Sequence, residues 1–95
     1  MKGTEKQVKW AEQIREEIKK GWEELKAEIG TEPPEAVKNH VENEILGQED
    51  ANFFINFQKT TKRFGKEWEW GAHEMRHYLE NLEGEIGDEA FDWTF

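Results

Sequence analysis

The chain has 95 residues, with 22 acidic against 13 basic side chains, a formal charge of −9 and no cysteine. That length suits one domain, 1–95, with a modest core. The missing cysteine excludes a disulfide framework and a thiolate metal site, and no apolar run reaches the roughly 18 residues needed to span a bilayer.

Leu, Ile, Val and Phe together supply only 19 residues, the level at which highly charged chains tend toward disorder. Aromatic content argues for folding: five Trp, six Phe and one Tyr, each removing on the order of 150–250 Å² from water when buried. The opening "MKGTEKQVKW" has no signal-peptide core, so a cytoplasmic location is expected.

The first predicted element is a long helix over about 4–29. Thr4 and Gln7 form a capping box, and Val8, Ala11, Ile14, Ile18, Trp22, Leu25 and Ile29 follow at three- and four-residue spacings. Glu5–Lys9 and Glu16–Lys20 stand in the favourable i,i+4 order. Gly30 suits a left-handed terminus, whereas Gly21 weakens the helix by about 1 kcal/mol relative to Ala and allows a bend.

"TEPPEA" stops that helix, and Pro34 suits the first turn of a second. Val37, Val41 and Ile45 mark its buried face up to Gly47. A third helix is predicted from residues 48–50 to Gly65, with Phe53, Phe54, Phe57 and Phe64 on one side. The fourth runs from about Lys66 to Glu83 with Trp68, Ala72, Met75, Leu79 and Leu82 as its core stripe. The ending "AFDWTF" alternates Phe91, Trp93 and Phe95 with polar residues and suits a strand, an extended arm or a last half-turn. The expected fold is all-α: about four helices, the first one long, with a short aromatic C-terminal arm.

Within the fourth helix, His73-Glu74-Met75-Arg76-His77 matches H-E-x-x-H, the zinc signature of many metallopeptidases. A catalytic zinc needs a third protein ligand. The extended metzincin pattern would place Gly and His at positions 80 and 83, which are Glu80 and Glu83 here. On the helical wheel both imidazoles point away from the core stripe, beside Trp70 and Glu80. The motif therefore reads as a coincidence on a solvent-facing side. A zinc-dependent hydrolase, with His73 and His77 as ligands and Glu74 as general base, is the alternative. No cofactor is expected. His40 stands alone among acids and reads as surface.

Charge is unevenly placed. Residues 1–30 are neutral, 31–58 carry −5, 59–66 carry +4 and 67–95 carry −8. Such a field repels nucleic acid and anionic membrane over much of the surface and attracts basic partners. The basic run 59–66 suits the C-terminal end of a helix. The candidate partner-binding set is Glu80, Glu83, Glu85, Asp88, Glu89 and Asp92, with Trp70, Trp93 and Phe95 as aromatic anchors.

The opening "KGTEKQVKWAEQIR" resembles that of small uncharacterised proteins carried by bacteria, their phages and plasmids, which commonly begin G-[TS]-E-K-Q-[IV]-x-W-A-E-x-I-R. A later segment of those proteins, A-x-W-W-I-D-N-R, is similar to "ANFFINFQ" at 51–58, with Phe53 and Phe54 in place of the tryptophans and Asn56 in place of the acid. The resemblance implies a helical domain of bacterial or mobile-element origin, with Thr4 and Gln7 as a cap and Trp10 and Ala11 beginning the packing face. Small acidic proteins from such elements often block host defence by presenting carboxylates where a nuclease expects phosphates. The expected function is therefore non-enzymatic: an anti-CRISPR or anti-restriction inhibitor with a DNA-mimicking surface. Its partner is a basic protein such as a CRISPR effector nuclease, not nucleic acid itself. A homodimerising structural module is the further alternative.

Overall fold

The computed structural model describes residues 1–61 and 69–95. Phe64, Trp68, the predicted helix boundaries at Gly65 and Lys66, and the basic residues Lys62, Arg63 and Lys66 lie outside the described residues. The fold is all-α, and the first helix, α1 (Glu5–Ile29), is its longest element.

The start and stop of α1 follow the sequence. The Gln7 backbone N–H donates to Thr4 Oγ1 at 3.2 Å and the Thr4 N–H donates to Gln7 Oε1 at 3.0 Å, closing the capping box. Gly30 ends the helix in the left-handed region at φ 78°, its N–H donating to the Lys26 carbonyl. Ala11, Ile14, Ile18, Trp22 and Leu25 are buried, with Val8 and Ile29 packed partly against them. Trp10 departs from its expected place on this face: it stands one position off the stripe, 42% exposed, and its Nε1–H donates to Gln58 at 3.1 Å. Lys20 pairs with Glu17 at 3.0 Å, an i,i+3 pair in place of the predicted i,i+4 pair with Glu16.

Helix α2 (Glu35–Asn39) begins one residue after Pro34 and continues into a π-helical turn, His40–Ile45. The Leu46 N–H donates to the Val41 carbonyl at 2.9 Å, five residues back. Val37, Val41 and Ile45 are all buried, so the wider turn keeps the apolar face on the core.

Helix α3 (Ala51–Thr61) starts where Asp50 Oδ1 accepts the Asn52 N–H at 3.0 Å. The Ala51 N–H is taken up by the Lys2 carbonyl at 2.8 Å, while the Lys2 N–H donates to the Glu49 carbonyl. These two bonds lash the N-terminal segment to the entry of α3. Phe54, Ile55 and Phe57 are buried and Phe53 lies edge-on to Phe54, with ring centroids 5.2 Å apart.

Helix α4 (Ala72–Glu80) is shorter than predicted, and Leu82 packs against the core from the turn that follows. The segment predicted as strand, arm or half-turn is instead a full helix, α5 (Glu85–Thr94). Helices α3 and α4 pack against α1, and α5 packs against α4 and α2.

The core is unusually aromatic for its size. Phe57 lies 5.2 Å from both Trp70 and Tyr78, and Trp70 lies 5.8 Å from Tyr78, all edge-on. Edge-to-face rings place positive ring edges on negative faces and add to the energy of burial. That is how so few aliphatic side chains suffice. Among the described residues no helix is long and apolar enough to cross a membrane.

Candidate functional site

Helix α5 carries four acidic side chains and no basic one. Glu85, Asp88, Glu89 and Asp92 recur at i, i+3, i+4 and i+7, which at about 100° per residue places them in one stripe roughly 100° wide. Ile86, Ala90 and Trp93 lie on the adjoining inner side and pack on the core. Glu85, Asp88 and Asp92 are exposed and Glu89 is half-buried; Glu83, in the preceding turn, is exposed. Among the described residues none of these five carboxylates forms an ion pair.

Helix stability explains only part of this stripe. Glu85 and Asp88 lie in the first turn, where negative charge favours the helix dipole. Asp92 lies in the last turn, where the dipole opposes it and where no basic side chain compensates. The stripe thus runs on past the point where the helix gains from it.

Phe91 and Phe95 border the same stripe. They are 51% and 92% exposed, and their rings lie against each other with centroids 5.5 Å apart. Phe91 was absent from the predicted anchors, and strand-like alternation in "AFDWTF" would set Phe91, Trp93 and Phe95 on one face. A helical period separates them: Phe91 and Phe95 stay together at i,i+4, and Trp93 turns inward. Its indole lies 5.6 Å from that of Trp22, and its Nε1–H donates to the Thr31 carbonyl at 3.3 Å. Trp93 therefore anchors α5 to the body of the protein, correcting its predicted place among the partner-facing residues.

Two other predicted site residues are corrected likewise. Trp70 is only 1% exposed. The wheel that placed it beside His73 and His77 assumed a helix from Lys66, whereas α4 begins at Ala72 and the chain at 69–71 is not helical. Its ring enters the core instead. Glu80 is engaged internally: it accepts from the Thr94 hydroxyl and, at 3.0 Å, from Arg76 Nε, while Arg76 also donates to the Thr94 carbonyl at 2.9 Å. Partial burial works against the charge on Glu80, but the donors Thr94 and Arg76 outweigh it and hold the carboxyl below its ordinary value. This network closes α5 onto α4.

The H-E-x-x-H residues sit on α4 as the sequence spacing requires. His73 is exposed and His77 half-buried, with ring centroids 6.5 Å apart; Glu74 lies in the first turn. Among the described residues no group of three or more His, Asp or Glu side chains could hold a metal ion.

His40 is not the isolated surface residue expected. It is half-buried at the start of the π-helical turn, with Nδ1 2.8 Å from Glu44 Oε2 and Nε2 3.0 Å from the Tyr78 hydroxyl. A carboxylate only accepts, so Nδ1 is the donor to Glu44, and Nε2 and the Tyr78 hydroxyl share the second hydrogen bond. Burial first, then the charge of Glu44, pushes the Tyr78 phenol up to about 12. A phenol so raised stays protonated and is no nucleophile near neutral pH. The trio ties the second helical segment to α4.

No family model matches the chain, and neither a curated protein nor a solved structure shows significant similarity to it.

Proposed function

We propose that this protein is a non-enzymatic binding protein whose α5 face docks on the basic, nucleic-acid-binding surface of a host defence protein, as an anti-CRISPR or anti-restriction inhibitor would. The observation that carries this reading is the carboxylate stripe. Glu85, Asp88, Glu89 and Asp92 span about 10.5 Å of helix axis, one charge per about 3.5 Å. Phosphates along one strand of DNA rise by about 3.4 Å each. A groove built to neutralise that charge density meets it here on a helix already held in place, so little ordering entropy is lost on docking.

The resemblance of the N-terminal segment to mobile-element proteins supports the same reading. So does position: α5 is fixed from behind by Trp93 and Thr94, which leaves the acidic side outward. The partner proposed is a basic protein in the bacterial cytoplasm, of the kind a CRISPR effector nuclease represents. The test is DNA cleavage by a panel of RNA-loaded CRISPR effectors and restriction endonucleases, with the protein added in molar excess. Inhibition of at least one member by the wild type, relieved when Glu85, Asp88, Glu89 and Asp92 are replaced by their amides, supports the proposal. Inhibition equal in the two proteins, or none across the panel, overturns it.

A further inference from the structure

We infer that Phe91 and Phe95 form the apolar anchor of the α5 interface, and that the partner offers an apolar cleft bordered by arginine or lysine. This rests on the docking reading above and adds to it the chemistry of the partner's surface.

Both rings are exposed and in mutual contact, 5.5 Å between centroids. On the helical wheel they lie next to Asp88 and Asp92, so the apolar pair and two carboxylates make one continuous patch. Large aromatic side chains at the centre of an interface, ringed by polar groups, are the usual carriers of binding energy. Folding does not require these rings outside: Trp93, between them in sequence, fills the site on Trp22. The patch is also rigidly backed, since the Thr94 carbonyl and hydroxyl are both bonded to α4.

Charge selects the occupant. A second copy related by a two-fold axis would set this patch against itself. Asp88 and Asp92 of one copy would face those of the other, and α5 holds no Lys or Arg to relieve them. An anionic bilayer is repelled for the same reason. A cleft with an apolar floor for the two rings and cationic walls for the carboxylates satisfies every group in the patch.

The experiment is selection from a random peptide library on the immobilised full chain, followed by titration of the enriched peptides against three proteins. These are the wild type, Phe91→Ser/Phe95→Ser, and the variant with Glu85, Asp88, Glu89 and Asp92 as amides, each checked by its melting curve. The expected peptides combine aromatic or branched aliphatic residues with Arg or Lys, and bind the double Phe variant at least about tenfold more weakly while its melting is unchanged. Peptides that lose affinity for the amide variant alone overturn the anchor and leave the electrostatic reading standing. Equal binding to all three, or no enrichment, overturns both. A wild-type dimer in sedimentation that dissociates on Phe91→Ser/Phe95→Ser also overturns the inference, placing a second copy on the patch.

Discussion

The indoles of Trp93 and Trp22 lie 5.6 Å apart at an interplanar angle of 58°, and this contact fixes which side of α5 faces outward. Trp22 is itself held in three ways. Its Nε1–H donates to Glu42 at 3.1 Å, Lys26 lies over its ring at 5.3 Å, and only 1% of its surface is exposed. Trp22→Ala should cost about 3–5 kcal/mol, much of the stability of a domain this small. Trp93, half-buried, should cost less. A double-mutant cycle on the pair should return a coupling of about 0.5–1.5 kcal/mol. If Trp22→Ala melts within a degree or two of wild type, α1 has been given the wrong packing face.

Gly21 sets helix propensity against packing. Propensity alone makes Gly21→Ala stabilising by about 1 kcal/mol in the interior of α1. A Cβ at Gly21 would meet Trp70 Cδ1 at 2.7 Å and the carbonyls of Trp70 and Gly71 at 2.9 Å. Those are backbone atoms and a fixed ring, so overpacking of about 1–3 kcal/mol should win. The expected result in urea unfolding is net destabilisation. A variant more stable than wild type would mean that the 69–71 segment is not packed on α1.

The Arg76–Glu80–Thr94 network predicts a pH dependence. The folded carboxyl of Glu80 lies below its ordinary value of 4.5. Its stabilisation is therefore fully present above that value and is lost as pH falls through the lower, folded one. Wild type should exceed Glu80→Gln in stability near pH 7, and the gap should narrow as pH falls below 4.5. A gap that is constant or widens on acidification would remove Glu80 as the charged centre of the network.

Zinc should be dispensable. With no third ligand grouped with His73 and His77 among the described residues, prolonged chelation should leave the melting curve unchanged. Stoichiometric zinc that survives dialysis, together with loss of binding in His77→Ala, would reinstate the metal reading.

What the sequence made legible was local. The Thr4–Gln7 box, Gly30 and the Ala11–Leu25 stripe each need only a few neighbours along one helix, and each is found in place. The carboxylates of the C-terminal third were legible as a composition. The placement of Phe91, Trp93 and Phe95 was not, because six residues of "AFDWTF" cannot distinguish a period of 2 from one of 3.6. The contact with Trp22, 71 positions away from Trp93 in the chain, decides it. Trp70 was misplaced for a related reason: a helical wheel holds only where the helix exists, and α4 starts two residues later. Gly21 reads as a weak point in a helix until the Trp70–Gly71 backbone is seen against it.

The most direct test of the central claim, that the acidic face of α5 is the binding surface, is a titration against an inhibited nuclease at about 50 and 200 mM salt. Wild type is compared with the variant carrying amides at Glu85, Asp88, Glu89 and Asp92. Screening shortens the reach of charge to about 8–10 Å near physiological ionic strength, so wild-type affinity should fall steeply as salt rises. The variant should bind weakly at both concentrations, with an unchanged melting temperature. Affinity that ignores salt and is the same in both proteins would contradict the claim.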